Sequence, residues 1–147
     1  MVRVRVVTRW CAAAVAAVAL SAGPAVLAAQ QKPVALGQVR IARAVRANGQ
    51  ALAAGTYTLR LTGEQGRPVV GQTPAESQWV EFVQGADVRG RELATVLSAA
   101  EAKKLVKGGK LPASGSASSE LLRGGDYIRV WVTRGSSHYL LHLAVTP

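Results

Sequence analysis

Sulfur is almost absent from this chain. Its one cysteine, Cys11, and its one methionine, Met1, both stand near the start of a 147-residue sequence. A domain formed by the later residues has no disulfide and tolerates an oxidising compartment without one. It also lacks the soft sulfur ligands that copper-handling proteins favour. Histidine is scarce too, because His138 and His142 are the only two in the chain.

The motifs of common enzyme classes are also missing. The sequence has no Gly-x-Ser-x-Gly nucleophile elbow, and its paired glycines lack the spacing of phosphate-binding loops. The eight carboxylates are scattered, and no two of them are placed as a general acid and a general base. We therefore predict no catalytic residue, metal or cofactor. The alternative is a hydrolase that joins Asp87 or Asp126 to a histidine, since such triads assemble in space.

The two histidines have a spacing that would suit a metal ion on a helix. The surrounding alternation predicts a strand instead, where residues four apart on one face are separated by about 13 Å. One ion cannot bind both side chains at that distance, and no acidic residue stands nearby in sequence to complete a site. We interpret His138 and His142 as partly exposed strand residues. A position opposite Arg129 would oppose the protonation of His142.

The beginning of the chain has the three parts of a secretory signal. Three arginines in the first nine residues precede an apolar run from Cys11 to Leu20, and a serine, a glycine and a proline then interrupt it. A membrane anchor is the alternative, but a spanning helix needs about 20 unbroken apolar residues. We predict a cleaved signal peptide over residues 1–29 and one domain over residues 30–147, located in the periplasm or secreted.

Alternating apolar and polar residues predict that this domain is mainly β. The clearest pattern lies near the end of the chain and comprises Ile128, Val130, Val132, Tyr139, Leu141 and Leu143. A two-residue turn at Gly135-Ser136 would pair Val132 with Tyr139 and place both apolar sets on one face. A second hairpin is predicted from Ser77 to Leu97.

One short helix interrupts the strands. Ser98 and Glu101 fit a capping box at its start, and Gly108-Gly109 would end it. The helix is expected to pack through Ala99, Ala102, Leu105 and Val106. Residues 110–119, rich in serine, predict a flexible loop. About seven short strands and one helix predict a single antiparallel β-sandwich, or an open barrel.

Two surfaces are candidate binding sites. The predicted outer strip of the last hairpin would suit sugar rings or a partner strand, and it comprises Tyr127, Trp131, His138 and His142. The alternative is that the helix or the 110–119 loop covers this strip. The second surface, here called the lysine cluster, comprises Lys103, Lys104, Lys107 and Lys110. A further basic patch would combine Arg40, Arg43, Arg46 and Arg60.

The lysine cluster is a candidate binding site because of its positive charge. The chain has 18 Lys and Arg against 8 Asp and Glu, and without the three arginines of the signal its net charge is +7. Outside the cytoplasm, basic patches attract lipopolysaccharide, acidic phospholipid, acidic polysaccharide or extracellular DNA. The alternative is a solvated lysine face that keeps a small domain soluble.

The segment Leu52-x-x-Gly55-x-Tyr57 resembles the tyrosine corner of immunoglobulin-like and fibronectin-type sandwiches, where the tyrosine hydroxyl bonds back to nearby backbone. A wider set of segments is similar to a group of small exported bacterial proteins, a domain of unknown function. These segments are Ala47-Asn48-Gly49-Gln50-x-Leu52-x-Ala54-Gly55-Thr56-Tyr57, Trp79-Val80-Glu81-Phe82-Val83, Gly90-Arg91-Glu92 and Gly125-Asp126-Tyr127-x-Arg129-Val130-Trp131. The resemblance implies a periplasmic sandwich, and the group has no activity to carry over.

Together these observations predict an exported, non-catalytic β-sandwich that acts as a binding or structural accessory module of the cell envelope. An envelope protein or a polysaccharide would be its partner. The alternative is a protein that binds polyanions or polysaccharides through its basic residues. We expect no nucleotide ligand and no transmembrane segment after signal cleavage.

Overall fold

The structure is a computed structural model that describes residues 32–67, 70, 76–106 and 109–147. The predicted signal peptide and Lys107 of the lysine cluster lie outside these residues. In the part described, no helix has the length and apolarity that crossing a membrane requires.

The described residues form nine strands and one helix, in this order: β1 (Val34–Ile41), β2 (Val45–Ala47), β3 (Gln50–Leu52), β4 (Gly55–Gln65), β5 (Ser77–Gln84), β6 (Asp87–Leu97), α1 (Ala99–Val106), β7 (Ser116–Leu121), β8 (Tyr127–Arg134) and β9 (Ser137–Val145). The prediction of a mainly β domain with one short helix is confirmed.

All paired strands run antiparallel and belong to one sheet. The order is β1-β4-β5-β6-β9-β2-β3, and β9 also pairs with β8, which in turn pairs with β7. Strand β7 comes back beside β1, where the Ser119 hydroxyl donates a hydrogen bond of 2.6 Å to the carbonyl oxygen of Arg40. The sheet therefore curls into a nearly closed, sandwich-like barrel with a seam between β1 and β7.

Apolar side chains fill the inside of this barrel. Tyr57, Leu59 and Leu61 point inward from β4 and are at most 7% exposed. In the last hairpin, Val132 lies opposite Tyr139, as the turn at Gly135 predicts. Each fully buried side chain of this kind stabilises the fold by about 1.5–3 kcal/mol.

Asn48 and Gly49 form the tight turn between β2 and β3. Asn48 and Gly49 have φ angles of 45° and 82°, and a type I′ hairpin turn needs positive φ at both central residues. The Asn48 N–H also donates a hydrogen bond of 2.5 Å to the Glu92 carboxylate. This contact fastens the short hairpin to strand β6.

The tyrosine-corner hydrogen bond is present. The Tyr57 hydroxyl donates a hydrogen bond of 2.7 Å to the carbonyl oxygen of Ala53. The Tyr57 ring meets Phe82 edge to face, with ring centroids 6.0 Å apart. The ring therefore fills the core while its hydroxyl fixes the chain as it enters β4.

Helix α1 has the predicted capping box. The Ser98 hydroxyl donates to Glu101 at 2.6 Å, and the Ser98 N–H donates to the same carboxylate at 2.9 Å. These two bonds from Ser98, the hydroxyl bond first, lower the pKa of Glu101. The predicted packing face is only partly right, because Ala102 is buried whereas Ala99 and Leu105 are exposed. Ala102 is the buried residue of this eight-residue helix.

The loop expected over residues 110–119 is wrong in its second half. Residues from Ser116 onward form β7 and pair with β8, for example Ser118 with Trp131. Backbone hydrogen bonds build this ladder, so the polar serines do not prevent it. They lie mostly exposed on a strand at the seam.

Candidate functional site

The four residues of the predicted strip on the last hairpin differ in solvent exposure. Trp131 is 5% exposed and packs in one cluster with Ala102 and Leu140. His138 is 7% exposed, whereas Tyr127 is 49% exposed and His142 is also exposed. Of the two interpretations of the strip, the covered one therefore describes Trp131. The prediction that His138 is partly exposed is wrong, because its side chain is buried. Tyr127 and His142 are left available at the surface.

The buried histidine has a neutral partner. His138 Nδ1 and the Thr133 hydroxyl share a hydrogen bond of 2.9 Å between directly opposed residues of β9 and β8. Either group can donate, depending on the tautomer of the ring. This contact gives the buried His138 ring a hydrogen-bond partner.

The exposed histidine has a cationic partner. His142 lies opposite Arg129, as predicted, and the Arg129 Nε–H donates a hydrogen bond of 3.3 Å to His142 Nε2. Partial burial, followed by the charge of Arg129, lowers the pKa of His142. Arg129 also reaches Glu120 at 3.5 Å. The side-chain partners of the two histidines are thus a threonine and an arginine, rather than the carboxylate of a triad.

Acidic residues of the described chain are largely engaged by neighbours. Glu81 accepts two hydrogen bonds from Arg60, and Glu64 pairs with Arg91 at 3.3 Å. Arg91 in turn lies 4.7 Å from the ring centroid of Trp79. Within the described ranges, no group of three or more His, Cys, Asp or Glu side chains could hold a metal ion.

The predicted arginine patch is not formed as expected. Arg40 lies opposite Thr56, and Arg60 lies opposite Ala35, so the two arginines stand at opposite ends of the β1–β4 ladder. Five residues of strand separate these positions by about 16 Å. The Arg60 side chain also forms an ion pair with Glu81.

The lysine cluster borders a surface depression. Lys103 and Lys110 line it together with Val106, Gly109 and Leu111, and no carboxylate belongs to the lining. Lys104 is exposed on the same helix, where its charge also contributes to lowering the pKa of Glu101.

A second basic depression lies where β1 and β5 begin and where β4 and β8 end. Its lining includes Lys32, Val34, Leu61, Gln65, Gln78 and Arg134, again without a carboxylate. Neither cation has an ion pair with a described residue.

Residues 109–115 connect the two depressions. The Ser114 hydroxyl accepts a hydrogen bond of 2.9 Å from the N–H of Gly135, the residue after Arg134. Lys110 precedes Ser114 by four residues, a reach of at most about 14 Å. We call the two depressions and this connection the basic end of the barrel.

Sequence reasoning missed the second depression. Lys32 and Arg134 stand 102 residues apart in the chain, and twelve residues lie between Gln65 and Gln78. These side chains converge only because β4 pairs with β5 and because β1 lies near β8 at the seam. No local motif signals that arrangement.

Comparison with known proteins gives this site no precedent. Neither a family model, nor a curated protein, nor a solved structure matches the chain.

Proposed function

We propose that the chain is an exported, non-catalytic binding module of the cell envelope that holds an anionic polymer on its basic end. One observation carries the proposal. Two depressions, with residues 109–115 running between them, each present two cations, Lys103 with Lys110 and Lys32 with Arg134, and neither lining contains a carboxylate.

Screening explains why a polymer fits this arrangement better than a single small anion. At physiological ionic strength, charges separated by more than about 8 Å scarcely act on one another through water. An anion at one depression therefore gains little from any cation of the other that lies beyond this distance. A chain of repeated negative charges can contact both depressions at once, and its second contact is strengthened by the first.

Two features support the non-catalytic part of the proposal. His138 and His142 have threonine and arginine partners, so neither has the carboxylate that orients a general base in a triad. Glu81 and Glu64 are held in ion pairs on the outer face of the sheet.

Three sequence features support export. They are the predicted signal peptide over residues 1–29, the absence of cysteine after Cys11, and the resemblance to small exported bacterial proteins. The hydrogen bond from Tyr57 to Ala53 supports an immunoglobulin-like origin of the fold, which we include in the proposal.

Elution of the purified protein from immobilised dextran sulfate tests the proposal. Replacing Lys110 and Arg134 by glutamate should move elution to much lower salt, because the cations that contact the polymer are reversed. A matched control reverses Arg43 and Arg123, which lie at the other end of the barrel, and should elute close to the unaltered protein. Equal shifts in both variants would mean that net charge alone binds the polymer, and absence of retention would refute the proposal.

A second candidate is a partner protein at Tyr127. This residue lies opposite Ala144, and Ala144 lies opposite Arg46, so a small side chain separates an exposed ring from a cation. Such a flat site suits an extended acidic peptide. Capture of an envelope protein that is lost in Tyr127→Ala but kept in Lys110→Glu would support this candidate, and equal capture by both variants would dismiss it.

A further inference from the structure

We infer that the depression lined by Lys32, Gln65, Gln78 and Arg134 is a subsite for an acidic sugar unit of that polymer. The two cations bind the carboxylate, and the two amides form hydrogen bonds with the sugar hydroxyls. This inference rests on the proposed function and names its ligand as an acidic polysaccharide.

The two glutamines form the part of the site that points to a sugar. Gln65 lies directly opposite Gln78 in the β4–β5 ladder, so their side chains start as cross-strand neighbours. Neither amide has a hydrogen bond to a described residue. Each amide offers both donors and an acceptor, and a sugar hydroxyl also donates and accepts.

The cations supply the attraction for a carboxylate. The Arg134 guanidinium can donate two parallel hydrogen bonds to a carboxylate, while Lys32 adds a mobile positive charge. Glu76, which precedes Gln78 by two residues, does not line the depression and has an interaction of its own. No lining carboxylate therefore competes with the ligand for the two cations.

An irregularity in β4 creates the space. The ladder between β4 and β5 shifts register between Leu61 and Gln65, and Gly63 has a φ of 80° at this point. Such a shift bends a strand and redirects its side chains. Val34 and Leu61 border the depression and offer apolar surface to the C–H face of a sugar ring.

The amides favour a sugar over a phospholipid headgroup. Phosphate oxygens accept hydrogen bonds and donate none at neutral pH, so they would leave the carbonyl oxygens of Gln65 and Gln78 without a donor. A polyhydroxylated acidic sugar satisfies both halves of each amide.

Calorimetric titration of the purified protein with oligogalacturonate tests the inference, alongside its methyl ester and vesicles of phosphatidylmethanol, whose phosphodiester headgroup has no hydroxyl donor. We expect the acid form to bind at least about tenfold more tightly than the ester, because the ester lacks the charge that the cations recognise. Binding to the vesicles that equals or exceeds binding to the acid form would overturn the inference in favour of a membrane.

Substitutions distinguish the contribution of the two amides to binding from that of the two cations. The double change Gln65→Ala and Gln78→Ala should weaken oligogalacturonate binding about tenfold, with its salt dependence unchanged, since no charge is removed. The matched change Gln38→Ala and Gln84→Ala, at exposed glutamines elsewhere, should leave binding unaltered. Arg134→Gln should weaken binding and also reduce its salt dependence.

The experiments distinguish failure of the sugar subsite from failure of polyanion binding. Unaltered oligogalacturonate binding in the Gln65 and Gln78 variant, with retention on dextran sulfate, would overturn the sugar subsite and leave polyanion binding standing. Absence of binding to every anionic polymer would overturn both.

Discussion

Trp131 of β8 packs against Ala102 of helix α1 in a small cluster outside the main core, and the indole is only 5% exposed. Ala102 is the smallest apolar side chain in this cluster and lets the helix approach the sheet closely. Half-buried Leu97, Val106 and Leu111 surround the pair. The side chain that sequence patterns offer as a partner contact thus fastens the helix to the barrel.

Replacing Trp131 by alanine should lower the free energy of unfolding by about 3 kcal/mol, because the helix would cover a cavity. Urea denaturation measures this change. Trp79→Ala is the control, since that half-buried ring is stacked by Arg91 at the surface, and it should cost only about 1 kcal/mol. A loss below about 0.5 kcal/mol for Trp131→Ala would mean that the helix does not pack as described.

Removing the Tyr57 hydroxyl tests the tyrosine corner separately from the core. Tyr57→Phe keeps the ring against Phe82 and deletes the hydrogen bond to Ala53, so stability should fall by about 1 kcal/mol. Tyr127→Phe removes a hydroxyl from an exposed ring and should be neutral within about 0.5 kcal/mol. Equal effects of the two changes in thermal denaturation would show that the Ala53 bond contributes nothing.

Closure of the barrel depends on a close approach between Gly37 and Gly115. A Cβ atom at Gly37 would lie 2.9 Å from the carbonyl oxygen of Gly115, so the seam must open to admit it. Gly37 also has a φ of 148°, which residues with a side chain rarely adopt, so the contact and the backbone strain together should make Gly37→Ala destabilise the fold by about 1–3 kcal/mol.

Gly55→Ala is the control, at a glycine that has neither a positive φ nor a close backbone contact. Its Cβ would meet the Gln84 amide nitrogen at 3.4 Å, an ordinary contact at the far end of a flexible side chain. We expect a change within about 0.5 kcal/mol in urea denaturation. A Gly37→Ala variant as stable as this control would mean that β1 and β7 are further apart than described.

Protonation of His142 should destabilise the fold. Its folded-state pKa lies below the ordinary value of 6.5, through burial first and through Arg129 second. The unfolded chain therefore takes up the proton at a higher pH than the folded chain does. The stability contributed by neutral His142 is present above pH 6.5 and is lost as the pH falls through the lower, folded-state pKa.

The change His142→Gln isolates this effect, because glutamine still accepts the hydrogen bond from Arg129 and does not titrate. Glu120, which also faces Arg129, is kept in both proteins. Between about pH 7.5 and about pH 5, the unaltered protein should lose stability relative to the variant in urea denaturation. A difference that stays constant with pH would refute the assigned protonation behaviour.

The sequence predicts those parts of the fold that local signals determine. Glycine at position 135 sets the turn that pairs Val132 with Tyr139, and Ser98 with Glu101 marks the helix start. Other parts of the fold form only when strands that are distant in sequence pair with each other. Ser116–Leu121 becomes a strand only because β8 offers its backbone.

In the candidate site, too, some residues can be recognised from local sequence and others are brought together only by the fold. Lys103 and Lys110 are recognisable from the sequence because they stand close together around a short helix. The site of Lys32, Gln65, Gln78 and Arg134 has no local signature, since four separate strand ends must meet before it exists. Likewise, alternation places Trp131 on the outer face but does not show that Ala102 covers it.

The most direct measurement is a map of backbone amide shifts in nuclear magnetic resonance spectra while a short acidic oligosaccharide is added to the labelled protein. Our account predicts that the perturbed amides cluster at the basic end, around Val34, Gln65, residues 109–115 and Gly135. Perturbations centred on Arg43 and Arg123, or spread evenly over the exposed arginines, would contradict it.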